Sequence, residues 1–409
     1  MLKKVLLLTS FVAFGACSVQ RQPIFWQESV FSDSVSQQVV PTVAIVLPLT
    51  GEYAEAGKHL QNAALQAVFD HKDVKMKTLF FDTMSTQKGA EQAYDWAVSQ
   101  KPDVVLGPIF SQEVAAIQDG GVSVPLLTFT SDTQLVNDKV GTMAVTVADQ
   151  VRQMVRYACA VGQFRLGVLA SDSRIGAIAK EALNDALADC PAMHLEKVSL
   201  YDAETMNFTN AVKRLLPEEI DADKPDLTEE EQLELAKPMT ERAGLDAIFI
   251  FEEGVKLRQI LSLMPFYDAG PKDIPLYALT VVKSINDANA NGVYFADLDA
   301  SGFNSFAQNY KSAFGEQPIR IASQMYDAMA LVFDVAEQGV PVSLDNLRLV
   351  GAFDGVDGEV RLNPDGTNQR PLQLMQKKMR GATPVVMPEF MPLSEAHNPW
   401  GDFIQPITE

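Results

Sequence analysis

The sequence predicts an α/β protein of two doubly wound parallel-sheet lobes with a cleft between them. Three observations carry that reading. Strand-like runs alternate with helical patterns from residue 43 onward. Several runs are apolar without alternation, as strands covered by helices on both faces must be. About ten such runs along 409 residues are too many for one comfortable sheet and enough for two.

In order, the strand-like runs are VAIVLPL (43–49), KTLFFD (77–82), DVVLGP (103–108), PLLTFT (125–130), GTMAVTV (141–147), RLGVLA (165–170), KVSLY (197–201), DAIFIFE (246–252), PLYAL (275–279) and NGVYFAD (291–297). Between them, apolar residues recur at helical spacing. Leu60, Ala63, Ala64, Ala67 and Val68 form one stripe, and Ala90, Ala93, Tyr94 and Ala97 another. Ala179, Ala182, Leu183 and Ala186 repeat the pattern, as do Met325, Ala328, Met329 and Val332. Helices of this length between strands imply parallel sheets joined by right-handed crossovers. DGVDGE (354–359) lacks the spacing of a calcium loop and reads as a hairpin turn.

The expected division places residues 41–148 and 284–350 in lobe 1 and residues 149–283 and 351–385 in lobe 2, with 386–409 as a C-terminal tail. Cys159 and Cys190 fall at the ends of successive helices flanking one strand, so both return to the same sheet edge. A disulfide between them is one reading, and two buried thiols the other.

The N-terminus has the form of a secretory signal. Lys3 and Lys4 precede an apolar run from Val5 to Phe14, followed by Gly15, Ala16 and Cys17. Ten apolar residues are too few to span a bilayer as a permanent helix. The FGAC segment resembles a bacterial lipobox, which implies that Cys17 is lipidated and becomes the mature N-terminus; a signal cut without lipid is the alternative. Ser18 after it resembles the outer-membrane sorting pattern. Residues 18–40, rich in Ser and Gln, read as a flexible tether. The expected location is the cell envelope, lipid-anchored and facing the periplasm, at the outer membrane.

With a net charge of −20, the chain repels phosphate backbones, which argues against a nucleic-acid partner. Acidic residues concentrate in an excursion over 217–240, read as a solvated helical segment or, alternatively, as a docking surface for a basic partner. Catalytic constellations are missing from the pattern. The four histidines show no HExxH spacing, and neither a GxSxG elbow nor a phosphate loop occurs. No metal, cofactor or enzymatic activity is expected.

The turn after the first strand, LTGEYAEAG (49–57), opens at the carboxyl edge of a sheet, where open α/β folds place their ligands. The quoted segments resemble the type I periplasmic binding-protein superfamily, the Leu/Ile/Val-receptor-like or Venus-flytrap fold. LPLTGEYAEAGKHLQNAALQAV is similar to its first strand-turn-helix, VVLGPIFSQEVAAI to its third, and SQMYDAMALVFDVAE followed by FDGVDGEVRLNPDGTNQR to its closing helix and hairpin. The resemblance covers residues 41–382. In its amino-acid receptor group it implies a ligand carboxylate held by Ser111, Thr128, Thr130 and Ser131, with Thr50, Gly51 and Tyr53 lining the cleft. In the second lobe Ile175-Gly176 stands where that group often has an aromatic-Gly pair. Thr280, Val281 and Val282 stand where it has an acid for the ammonium, and the spacing does not bring Glu252 or Glu253 there.

A second group in the superfamily is the lipoprotein family of penicillin-binding protein activators (LpoA or LppC-like). DAIFIFEEGVKLRQILSLMPFYDAGPKDIPLYALT resembles its strand, Arg-Gln helix, FY and PLYA order, and FDTMS (81–85) resembles another of its motifs. The expectation drawn is a non-catalytic lipoprotein that activates a class A penicillin-binding protein in peptidoglycan synthesis. The alternative is the solute-binding receptor of an ABC transporter for an amino acid or related small ligand.

Overall fold

The computed structural model describes residues 40–217, 220 and 224–388. The first lobe opens with β1 (Thr42–Leu47), α1 (Ala54–Asp70), β2 (Lys77–Asp82), α2 (Gln87–Ser99), β3 (Val104–Leu106), α3 (Ser111–Gly120), β4 (Leu126–Thr128) and β5 (Val140–Thr142). Its five strands lie in the order β2-β1-β3-β4-β5, and every pair is parallel. Strand β1 shows why the run is apolar throughout. Val43, Ile45 and Leu47 pack with Leu60, Ala63, Ala64 and Ala67 of α1, while Ala44 and Val46 pack with Ala90, Ala93 and Ala97 of α2. Both faces are covered, so both must be apolar.

The second lobe continues with α4 (Val147–Ala160), β6 (Arg165–Ser171), α5 (Arg174–Leu187) and β7 (His194–Tyr201). Three helices follow, α6 (Thr209–Lys213), α7 (Glu229–Ala236) and α8 (Met239–Ala243), then β8 (Ala247–Phe251), α9 (Gly254–Leu263), β9 (Leu276–Ala278) and β10 (Tyr294–Leu298). The chain returns through α10 (Ala300–Phe314), α11 (Ala322–Glu337) and α12 (Leu344–Leu349), then an antiparallel three-stranded sheet, β11 (Ala352–Gly355), β12 (Gly358–Leu362) and β13 (Asn368–Gln369). It ends on β14 (Leu372–Lys377) and β15 (Ala382–Pro384). The second sheet has seven strands, β15-β14-β10-β9-β8-β6-β7, parallel except where β14 meets β10 and β15.

Two boundaries differ from those read off the sequence. The return to the first lobe comes after Leu298, not at residue 284, because β10 pairs with β9 and β14 inside the second sheet. The segment 352–369 packs with the first lobe, since Val360 and Leu362 bury among Met325, Met329 and Leu347, and only β14 and β15 re-enter the second. Strand β5 is also shorter than the expected 141–147. Thr146 ends that run by accepting from the Asp149 backbone N–H, which starts α4 at Val147.

The chain therefore crosses between lobes near Met143, Asp299 and Arg370, and buried polar contacts tie these crossings together. Arg370 Nη1 lies 2.9 Å from Asp327 Oδ2, and both side chains are buried. Arg370 Nε donates to Asn368 Oδ1 at 3.1 Å, and Asn368 Nδ2 donates to the carbonyls of Thr142 and Ala144 at 3.0 and 2.6 Å. Arg320 donates to Asp357 at 2.5 Å and to the Asp299 carbonyl at 2.7 Å. Asp357 thus ties the turn of the 354–359 hairpin to Arg320 and Ser323.

Cys159, at the end of α4, and Cys190, just past α5, are joined in a disulfide with Cα atoms 6.4 Å apart. Helix α7, within the acidic excursion, has no buried residue and closes its own N-terminus with a Thr228–Glu231 capping box. Glu218, Glu219, Asp221 and Asp223 of that excursion, Cys17 with the tether up to residue 39, and the tail from 389 lie outside the described residues.

Candidate functional site

The carboxyl edge of the first sheet is built from four turns, and two of them are stitched together. Asp82, ending β2, accepts from the backbone N–H groups of Leu49, Thr50 and Met84 at 2.9, 3.1 and 2.8 Å, and from the Thr50 hydroxyl at 2.6 Å. Partial burial acts to raise its carboxyl, but the Thr50, Met84 and Leu49 hydrogen bonds outweigh it and hold the group below the usual range. Ser85 adds a second stitch by donating to the Thr50 carbonyl and accepting from the Tyr53 N–H. The fit requires Gly51, whose φ is +87° and where a Cβ would meet the Met84 carbonyl at 2.6 Å. Thr50 and Gly51 therefore shape the lip, and the Thr50 hydroxyl is already committed.

Other sequence candidates divide in the same way. Thr128 is buried and donates to the Gly141 carbonyl at 2.9 Å, so it holds β4 to β5 rather than facing a ligand. Thr130 is buried too; its hydroxyl accepts from the Asp132 N–H, and its carbonyl accepts from Thr142. A hydroxyl adjacent to a strand end looks the same in sequence whether it serves the sheet or a ligand. Ser111 and Ser131 are exposed, and neither hydroxyl makes a hydrogen bond among the described residues. Tyr53 is 37% exposed, its ring centroid 4.5 Å from that of Phe110.

The most suggestive feature of this lip is the start of α3. Thr86, Thr146 and Ser173 each cap a helix with a side-chain oxygen, whereas α3, with Phe110 at that position, and α1 on the same lip, with Tyr53, have no side-chain cap. The Glu113 and Val114 N–H groups donate to the Phe110 carbonyl, which leaves the Ser111 and Gln112 N–H groups and the Ser111 hydroxyl available to an anion.

Directly below, Glu113 is 1% exposed; Thr83 donates to its Oε1 at 2.8 Å, and Oε2 has no partner among the described residues. Burial pushes this carboxyl up to about 7, partly offset by the Thr83 hydroxyl and the Phe110 backbone N–H.

In the second lobe, Thr280 donates through both N–H and hydroxyl to Gln150 on α4, so it is a packing residue. The acid that the spacing argument set aside does stand at the sheet edge. Glu252, 5% exposed, directly follows β8 one strand from Thr280, accepts from the Tyr201 hydroxyl at 2.7 Å, and accepts the Glu253 N–H at 3.0 Å. Ser171, the last residue of β6, and Ser173 share a hydrogen bond of 2.7 Å. Sequence reasoning also missed Asp132 and Arg174. Asp132 follows β4 in the first lobe, Arg174 opens α5 in the second, and their side chains form an ion pair across the cleft. Only the lobe arrangement reveals it, because 42 residues separate the two.

A cavity of about 350 Å³ also lies between the lobes, lined by Gln134, Asp149, Arg152, Glu181 and Thr367 among others. None of Thr50, Tyr53, Ser111, Thr130 or Ser131 lines it. We place the candidate site at the sheet edges instead, because the unbonded hydroxyls and open backbone donors are there.

Solved structures share this architecture. A branched-chain amino acid ABC transporter periplasmic ligand-binding protein from Burkholderia xenovorans matches with a TM-score of 0.64 at 16% identity, covering 87% of this chain and 98% of that one. A leucine-binding protein from Thermotoga maritima matches at 0.60 and 15%, covering 85% and 98%. A solute-binding protein of an ABC transporter from Rhodopseudomonas palustris, in complex with 3,4-dihydroxybenzoic acid, matches at 0.57 and 18%, covering 84% and 94%. At such identities the likeness is one of fold. No curated protein matches the chain in sequence. The family model described as periplasmic binding protein matches residues 41–382, the whole two-lobed body, and the chain belongs to that family.

Proposed function

We propose that the protein is a solute-binding receptor of an ABC transporter, a non-catalytic protein facing the periplasm that closes on a small carboxylate-bearing ligand. The observation that carries this reading is the uncapped start of α3, with the unbonded Ser111 hydroxyl beside it and the Tyr53–Phe110 pair above. Family membership and the ligand-binding proteins of the same fold support it. The resemblance to penicillin-binding protein activators draws no support from either, so a class A synthase is not carried forward as a partner.

Isothermal titration of the purified protein against amino acids and aromatic carboxylates tests the reading. A specific ligand should bind with micromolar or better affinity. Ser111→Ala should weaken it about tenfold or more, since a hydrogen bond to a charged group contributes about 1.5–3 kcal/mol. Binding by no member of the panel overturns the receptor reading. We also propose that Cys17 carries a lipid anchor. Cys17→Ala should then move the protein from the membrane to the soluble periplasmic fraction, and unchanged fractionation sinks that idea.

A further inference from the structure

The geometry points to Arg174 as a specificity-determining residue: oriented by Asp132, it selects ligands that carry a second anionic group, the small dicarboxylates. This inference rests on the receptor reading and names the class of solute for the same cleft. Asp132 lies in the first lobe with a side chain only 8% exposed; its Oδ1 accepts the Gln134 N–H at 3.1 Å, and its Oδ2 accepts Arg174 Nε. Arg174 reaches from the second lobe, and its side chain is 55% exposed.

Only Nε of the guanidinium is used. The two terminal nitrogens, Nη1 and Nη2, have no partner among the described residues. A guanidinium keeps a planar fork of donors, and the edge formed by its two terminal nitrogens matches a carboxylate in a bidentate pair. Asp132 therefore acts as a positioning residue. It fixes the plane and leaves the free edge to the solvent of the cleft, so part of the ordering cost of a long side chain is met before a ligand arrives.

The same geometry disfavours a cationic ligand. A cation seeking Asp132 would have to displace Arg174 from a carboxylate that is nearly closed off and already bonded at its other oxygen. An anion meets open donors instead.

Strands β3 and β4 are neighbours in the first sheet, so the turn bearing Ser111 and the turn bearing Asp132 are adjacent at the same edge. A ligand carboxylate at the start of α3 therefore has as its neighbour at that edge the turn whose Asp132 holds the Arg174 fork. A monocarboxylate would leave that fork unused.

The test compares pairs of nearly equal shape that differ by one charge: succinate with succinamate, L-aspartate with L-asparagine, and L-glutamate with L-glutamine. Each is titrated calorimetrically into the wild-type protein and into Arg174→Gln, Arg174→Lys and Asp132→Asn, with folding checked by circular dichroism. In the wild type at least one dicarboxylate should bind about tenfold or more tighter than its monoamide. Arg174→Gln should collapse that ratio towards one. Arg174→Lys, a point charge without the fork, should keep part of it, and Asp132→Asn should reduce it while Arg174 remains in place.

Equal affinities within every pair, or a ratio untouched in Arg174→Gln, overturn the assignment while leaving the receptor reading intact. Failure of all six probes, together with leucine and benzoate, overturns both.

Discussion

Arg370→Ala should destabilise the protein by about 3–5 kcal/mol, the cost of breaking a buried ion pair by removing one member. Arg370 and Asp327 are both buried, and their contact is one link in the polar chain that joins the lobe crossings through Asn368 to Thr142 and Ala144. Removing the guanidinium leaves a buried carboxyl facing only the Val356 N–H, while Asn368 Oδ1 loses its donor. Burial pushes the Asp327 carboxyl up and Arg370 opposes that, so the variant must either desolvate an unpaired charge or take up a proton. Chemical denaturation at pH 7 measures the loss. A change below about 1 kcal/mol would show that the pair is not the structural tie described here. The double variant Arg370→Met with Asp327→Leu should recover most of the loss, since apolar replacement of both partners removes the desolvation cost along with the attraction.

Glu113→Gln should stabilise the protein at pH 8 and leave it nearly unchanged at pH 4.5. In the folded chain the Glu113 carboxyl is raised to about 7 from an ordinary 4.5. Below 4.5 the group is protonated in both states and contributes no difference. Between 4.5 and 7 the folded state holds a proton that the unfolded state has released, so stability falls as pH rises. Above 7 the folded protein carries a buried carboxylate with one oxygen unpartnered, at a cost of about 1–3 kcal/mol after allowance for solvent access. Glutamine can keep the Thr83 contact and carries no charge at any pH. Paired denaturation curves at pH 4.5, 6 and 8 should therefore diverge steadily in favour of the variant. Parallel curves would mean that the carboxyl titrates in its ordinary range.

What the sequence determined by itself is the α/β class, the two lobes and most of the elements. Strand β1 and the stripes Leu60–Val68 and Ala90–Ala97 are legible because burial on one or two faces dictates composition directly, and that constraint is local to the segment. The edge carrying Ser111, Ser131 and Tyr53 was legible too, because strand-helix turns mark the carboxyl edge wherever they occur. Which hydroxyls on that edge are free was not. Thr50 and Thr128 carry a hydroxyl in the same setting as Ser111, yet Asp82 and Gly141 already engage them, and those partners are set by strand register.

Tertiary structure alone decided the remainder. Strand β10 belongs to the second sheet because β14, nearly eighty residues later, pairs with it, and no local pattern announces a partner so far along the chain. Asp132 meets Arg174, Glu252 meets Tyr201, and Arg370 meets Asp327 only after the lobes and crossings are in place. Hydrophobic periodicity is written in each element. The pairing of polar groups across elements is written only in the assembled fold, and that pairing is what shapes this cleft.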